Sequence, residues 1–167
     1  MPDASELIAT ARFLLSAGTA TPAEAQLRRA VSTAYYALFH RVSRAAAERF
    51  IGKASEASAA YALLYRGFNH GRMRDICKAL DAPRLKDAWK KHLGRDAVSQ
   101  DARDFTAVFG GLQEARRAAD YDPRIAFSPS DVASLIEAAD NALAAFDRIA
   151  PGERADILAL MLVGVRG

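Results

Sequence analysis

The stretch LRRAVSTAYYALFHRVSRAAAERF, Leu27–Phe50, decides the fold. Leu27, Val31, Ala34, Leu38, Val42 and Ala45 recur every three or four residues, the period of one helical face. Tyr35 joins that face. Arg29, Ser32, Tyr36, His40 and Ser43 form a second stripe one step of about 100° away, at the border between core and solvent. Tyr36 and His40 are one turn apart and can share a hydrogen-bonded network at a groove. The plainer reading is a satisfied boundary histidine beside a tyrosine, and residue types alone leave both open.

Working outward, the same period returns at Phe105, Val108, Phe109, Leu112 and Ala115, and again at Val132, Leu135, Ile136, Ala139, Leu143 and Phe146. No segment keeps a period of two between turn signals, so strands are not expected. The helix starts are legible. Asp3-Ala4-Ser5-Glu6 and Ser128-Pro129-Ser130-Asp131 have the spacing of capping boxes, and Thr21-Pro22-Ala23-Glu24 adds proline at an expected first helical position. The pattern predicts helices near 3–17, 22–51, 57–69, 72–80, 84–93, 101–120, 129–149 and 152–163, with Asn69-His70-Gly71 as a break. Short connections make sequential helices antiparallel neighbours. The expected fold is all-α: a single domain over 1–167, built as an up-and-down antiparallel helical bundle with short accessory helices and its core at about 22–149.

Composition fits a globular helical chain, 51% apolar and 26% charged, with ten glycines and six prolines in 167 residues. The single cysteine, Cys77, has no internal disulfide partner, and no metal-ligand cluster surrounds it. The three histidines lack the Glu-x-x-His pairs of helical metal sites. There is no glycine-rich phosphate loop, so neither cofactor nor metal is expected. MPDASELIATARFLL, at the start, has acids and no basic leader region. The longest apolar run, 157–165, is short of the roughly 20 residues of a spanning helix. A cytoplasmic protein without membrane attachment is expected.

The net charge of +3 is unevenly spread. Between Arg66 and Arg95 stand nine bases, Arg72 and Arg74 among them, against three acids. Such an excess is either an ordinary solvated surface or a phosphate-attracting one. Trp89, in LKDAWKKHL, reads as the anchor of a short basic helix. A further polar cluster lies in LQEARRAADYDP, Leu112–Pro123. Arg116 falls on the face of Phe105, Phe109 and Leu112, where an apolar residue belongs, so it must snorkel, pair or sit at a cleft. Asp120, four residues on, can pair with it, and Tyr121 follows. This unit reads either as a clamp at a helix end or as a phosphate-facing site. The tail ADILALMLVGVRG is too uniformly apolar for a free surface; it completes the core, buries in a homodimer or takes a partner.

Together RRAVSTAYYALFHR, FNHGRMRDICKAL and LQEARRAADYDP resemble the HEPN superfamily, in the prokaryotic branch where an R-A-x-S-x-A-Y-Y-A-x-F-H helix precedes a later R-x-x-A-D-Y helix. The likeness covers about Ala23 to Phe146. It implies a helical bundle that pairs into dimers and binds RNA or a nucleotide, often in toxin–antitoxin or defence systems with a nucleotidyltransferase-type partner. The expected groove is lined by Arg28, Arg29, Tyr36, His40, His70, Arg116 and Tyr121, extended by Arg72 and Arg74. Active members are metal-independent ribonucleases with R-x(4–6)-H on the late helix. Here Arg116 matches, but Tyr121 stands after four intervening positions where histidine is required. Cleavage would therefore need Arg116, Asp120 and Tyr121 to act with His40 or His70. Without that rescue the groove binds and does not cut. A second reading is a non-enzymatic helical partner of a nucleotidyltransferase.

Overall fold

The computed structural model describes residues 2–16 and 22–164. Eight α-helices account for most of them: α1 Ala4–Ser16, α2 Glu24–Phe50, α3 Ala59–Arg66, α4 His70–Leu80, α5 Asp87–Leu93, α6 Gln100–Tyr121, α7 Pro129–Arg148 and α8 Pro151–Val163. A single 3-10 turn at Lys53–Ser55 follows α2, and no strand occurs among the described residues. The chain is an all-α helical bundle, as the periodicity requires. None of its described helices is long and apolar enough to cross a membrane.

Local chemistry explains most helix ends. At α7 the capping box is complete: the Asp131 N–H donates to Ser128 Oγ at 3.1 Å, and the Ser128 N–H donates to Asp131 Oδ2 at 3.3 Å. At α1, Asp3 Oδ1 accepts from the Ser5 N–H at 2.9 Å. The start of α2 differs from expectation. The helix begins at Glu24, and the Gln26 side chain reaches back to it, with the Ala23 N–H donating to Gln26 Oε1 at 2.8 Å. Pro22 precedes the helix, and Thr21 lies outside the described residues. The segment expected as one helix over 57–69 is shorter, because Ser58 caps α3 and Asn69 caps α4 by accepting from the Arg72 N–H at 3.0 Å. A capping side chain needs its own residue non-helical, so each cap ends what precedes it.

By packing, the chain divides into two units, Met1–Arg41 with Val108–Ala144, and Val42–Ala107 with Ala145–Gly167. In the first, Leu27, Val31, Ala34, Tyr35 and Leu38 of α2 bury with Phe109 and Leu112 of α6, Val132, Ile136 and Ala139 of α7, and Ile8 and Ala11 of α1. The rings of Tyr35 and Phe109 meet edge-on, centroids 5.5 Å apart. Arg28 meets Ala119 and Tyr36 meets Arg116, so the partner number falls as the α2 number rises. The two helices are antiparallel.

In the second unit, Phe105 of α6 packs on Phe146 of α7 with centroids 4.8 Å apart, and Arg148 pairs with Asp101 at 2.7 Å, again an antiparallel register. Met73, Ile76, Cys77 and Leu80 give α4 its buried face, and α4 packs on α8. The apolar tail is thereby explained: Ile157, Leu158, Leu160 and Met161 are buried within this unit, and Val163 alone among the large apolar residues of α8 stays 68% exposed. Glu153 at the start of α8 accepts from the Ser99 N–H at 2.8 Å, while Ser99 Oγ accepts from the Ala102 N–H at 3.2 Å. A carboxylate from another helix thus completes the cap of α6. Burial pushes the Cys77 thiol pKa well up, which keeps it protonated and unreactive.

Candidate functional site

In the first unit the antiparallel register sets Arg116 of α6 against Tyr36 of α2. The Arg116 side chain is only 15% exposed. Such a guanidinium needs compensation, and it has three kinds. Its Nε lies 2.7 Å from Asp120 Oδ2, one turn along the same helix. That N–H is not aligned on the oxygen, so the contact is ionic rather than a hydrogen bond. Its Nη2 donates to Tyr36 Oη at 3.1 Å. Three rings surround its Cζ, with centroids at 5.5 Å for Tyr36 and 5.9 Å for both Tyr35 and Tyr121.

This constellation extends at both ends. Asp120 Oδ1 accepts from the buried Ser32 Oγ at 2.6 Å. The imidazole of His40 stacks on Tyr36, centroids 5.9 Å apart and planes 28° from parallel. His40, Tyr36, Arg116, Asp120 and Ser32 therefore form one connected polar and aromatic chain. Ser32 was visible in the sequence only as a member of the border stripe. Its four-residue spacing from Tyr36 was the signal, but its partner lies 88 residues away.

Beside this chain an open cleft of about 420 Å³ is lined by Ala25, Arg28, Arg29, Ala119, Asp120 and Tyr121. Its two adjacent arginines differ in role. Arg28 Nε donates to Glu24 Oε1 at 2.8 Å. Arg28 Nη1 donates to the carbonyls of Ala118 (3.3 Å), Ala119 (2.9 Å) and Asp122 (3.1 Å), and Nη2 donates to that of Ile125. The last carbonyls of a helix have no partner within it. Arg28 supplies one for α6, and its guanidinium also stands over the Phe127 ring at 5.9 Å. The expectation that Arg28 faces nucleic acid meets a guanidinium already engaged by the fold. Arg29 is exposed, and Tyr121 is 74% exposed on the same cleft. At the rim, hydrogen bonds from the Arg124 side chain, and then from its backbone N–H, hold the Asp122 carboxylate pKa below its ordinary value.

His70, Arg72 and Arg74 belong to the second unit. His70 opens α4. Arg72 donates through Nη1 to the Leu162 carbonyl at the end of α8. Its side chain passes so close to Gly164 that a Cβ there would lie 3.2 Å from Arg72 Cδ, and Gly164 has a φ of 74°, which favours glycine. Arg74 binds Asp75 Oδ1 through Nε at 3.1 Å and Nη2 at 3.0 Å. Both arginines expected to extend a phosphate-binding surface are thus occupied within the fold. A second cleft of about 470 Å³ adjoins Arg72 and includes Asp75, Ile76, Trp89 and Val163 in its walls. Among the described residues no three His, Cys, Asp or Glu side chains converge in a way that could hold a metal ion.

Of the expected site residues, Tyr36, His40, Arg116, Asp120 and Tyr121 are brought together, with Arg28 and Arg29 at the adjoining cleft. Comparison of the chain with protein-family models, with characterised proteins and with solved structures yields no match.

Proposed function

We propose that this chain is a HEPN-like module that binds RNA or a nucleotide at the cleft between Arg29 and Tyr121, beside Arg116. The observation that carries the reading is the placement of Arg116. A largely buried guanidinium is held among three aromatic rings and one carboxylate, next to an open cleft that presents an exposed arginine and an exposed tyrosine. Arg29 suits a phosphate, since a guanidinium donates two parallel hydrogen bonds to it. Tyr121 offers a flat face for a base, a contact worth about 1–3 kcal/mol. Asp120 partly neutralises Arg116, so the latter contributes positioning and a modest field rather than a free charge. The pairing of two copies and the nucleotidyltransferase-type partner follow from the HEPN resemblance. Burial of the α8 tail removes the exposed apolar surface that favoured a pure interaction module.

The ribonuclease reading retains one specific support. His40 reaches Arg116 through the single ring of Tyr36. Cleavage without a metal needs a base for the 2′-hydroxyl and cationic donors for the phosphorane charge. The position that follows Arg116 after four residues holds Tyr121 and not a histidine, so the late helix supplies no imidazole for that role. The binding reading is therefore preferred.

Anisotropy of a fluorescein-labelled RNA hexamer tests it. Tyr121→Ala should weaken binding by about tenfold, in line with the loss of one stacked base, and Arg116→Ala should weaken it by less, through lost positioning. Unchanged affinity in both variants would discard the cleft. Incubation of the hexamer in EDTA separates binder from cutter. Cleavage that disappears in both Arg116→Ala and His40→Ala would favour the ribonuclease.

A further inference from the structure

The two units differ in charge. The first carries seven Lys and Arg against nine Asp and Glu, whereas the second carries sixteen against eleven. The proposed cleft thus lies in the net-negative unit, and the positive excess lies elsewhere. Within the second unit four of the nine bases of the 66–95 region are engaged as follows. Arg72 is held by the Leu162 carbonyl, Arg74 by Asp75, and Arg95 by Glu153 at 3.2 Å and by Asp156. Lys90 takes both nearby acids, Asp96 at 3.2 Å and Asp87 at 3.5 Å.

That distribution leaves Arg66, Arg84, Lys86 and Lys91 exposed and without an ion pair among the described residues, and the last three lie close together along the chain. We propose that these three side chains dock the sugar–phosphate backbone of a nucleic acid. Lys86 stands two positions after Arg84 in non-helical chain and Lys91 five positions further on, within α5, so their backbone positions fall within roughly 15 Å. That span matches the rise of about four nucleotides of one strand, at about 3.4 Å each.

The segment is held rather than loose. Leu85 and Leu93 are buried, and the Leu85 N–H donates to the Asp96 carbonyl at 2.9 Å. Gly94 closes α5 in the left-handed region at φ 64°. The same burial distinguishes the anionic partners. Leu85, Trp89 and Leu93 are spaced four apart and turn to the protein, with Leu85 and Leu93 buried and Trp89 partly so. A helix that lies on a lipid surface needs an outward apolar face, and this one has none to insert. A phosphate backbone needs only the charges. The inference rests on charge and burial in the second unit and is independent of the cleft in the first.

A labelled 20-base-pair blunt DNA duplex tests it, since a duplex offers phosphates but no unstacked base to Tyr121. Binding is followed by anisotropy from 50 to 300 mM salt for the wild type, for the triple variant Arg84→Gln, Lys86→Gln, Lys91→Gln, and for Arg74→Ala. Circular dichroism checks each fold. The triple variant should lose at least tenfold in affinity, and its plot of log K against log salt should flatten by about 2–3, with Arg74→Ala close to wild type. The RNA hexamer should still bind the triple variant, which keeps failure of this surface distinct from failure of the cleft. Equal slopes in the triple variant and wild type, or no duplex binding by the wild type, would overturn the proposal. Tighter binding to vesicles with 30% phosphatidylserine than to the duplex would also overturn it, in favour of a membrane surface.

Discussion

Arg28 in the first unit and Arg72 in the second solve the same problem. Each donates to carbonyls at the C-terminal end of a helix, Arg28 at α6 and Arg72 at α8, and each adjoins an open cleft. They differ in extent. Arg28 serves four carbonyls and a carboxylate, whereas Arg72 serves one carbonyl and leans on Gly164. The clefts differ in what remains. Beside Arg28 stand an exposed arginine, an exposed tyrosine and the Arg116–Asp120 pair. Beside Arg72 stand Ile76, Trp89 and Val163, with an aspartate already bound to Arg74. An arginine near a cleft is therefore no evidence of a ligand until its hydrogen bonds have been followed. The informative residue is the neighbour that the fold does not use.

Substitution of the two clamps sharpens this contrast. Arg28→Ala should cost the most, about 2–3 kcal/mol in urea unfolding, because several partly buried carbonyls lose a charged donor. Asp120→Ala should come next at about 1–2 kcal/mol, since it removes the counter-charge of Arg116 at a site only partly screened by water. Arg72→Ala should cost about 1 kcal/mol, the worth of one hydrogen bond and some packing. Equal losses for Arg28→Ala and Arg72→Ala would break the comparison, as they would show that the extra carbonyl bonds contribute nothing.

The smallest effect should appear at high pH. In the second unit, burial first and then the nearby Glu48 and Glu56 raise the Tyr61 pKa, and burial raises that of Tyr65. Their protonated forms are favoured in the folded chain. The stability so contributed is complete below about pH 10, the ordinary value of a phenol, and is lost as pH rises through the folded values. The urea midpoint should fall between pH 9.5 and 11.5, and Tyr61→Phe should fall less steeply. A wild-type midpoint that stays flat across that window would show that the phenols carry no linkage.

Legibility followed distance along the chain. The Ser128–Asp131 box was readable because donor and acceptor are three residues apart. The Arg116–Asp120 pair was readable because one helical turn determines it. The start of α2 falls at Glu24, two residues past the expected one, and there the Gln26 side chain accepts from the Ala23 N–H, a bond that the pattern of Thr21 and Glu24 does not announce. The use of Arg28 as a clamp on α6 was not readable, because its carbonyl acceptors lie 90 and more residues away and a backbone carbonyl has no sequence signature. Arg72 and Arg74 looked alike as basic residues. The end of α8 occupies one and a neighbouring carboxylate the other.

By itself the sequence determined that the chain is helical, where most helices begin, which faces are apolar, and that Arg116 needs a partner. These follow from the 3.6-residue period and from caps that act over three or four positions. Tertiary structure alone decided that Tyr36 and Ser32 join Arg116 and Asp120, that Arg28 belongs to the fold and Arg29 to the cleft, and that the apolar tail is core. Each of these depends on which helix lies alongside which. That choice arises from the burial of whole faces rather than from any local run of residues.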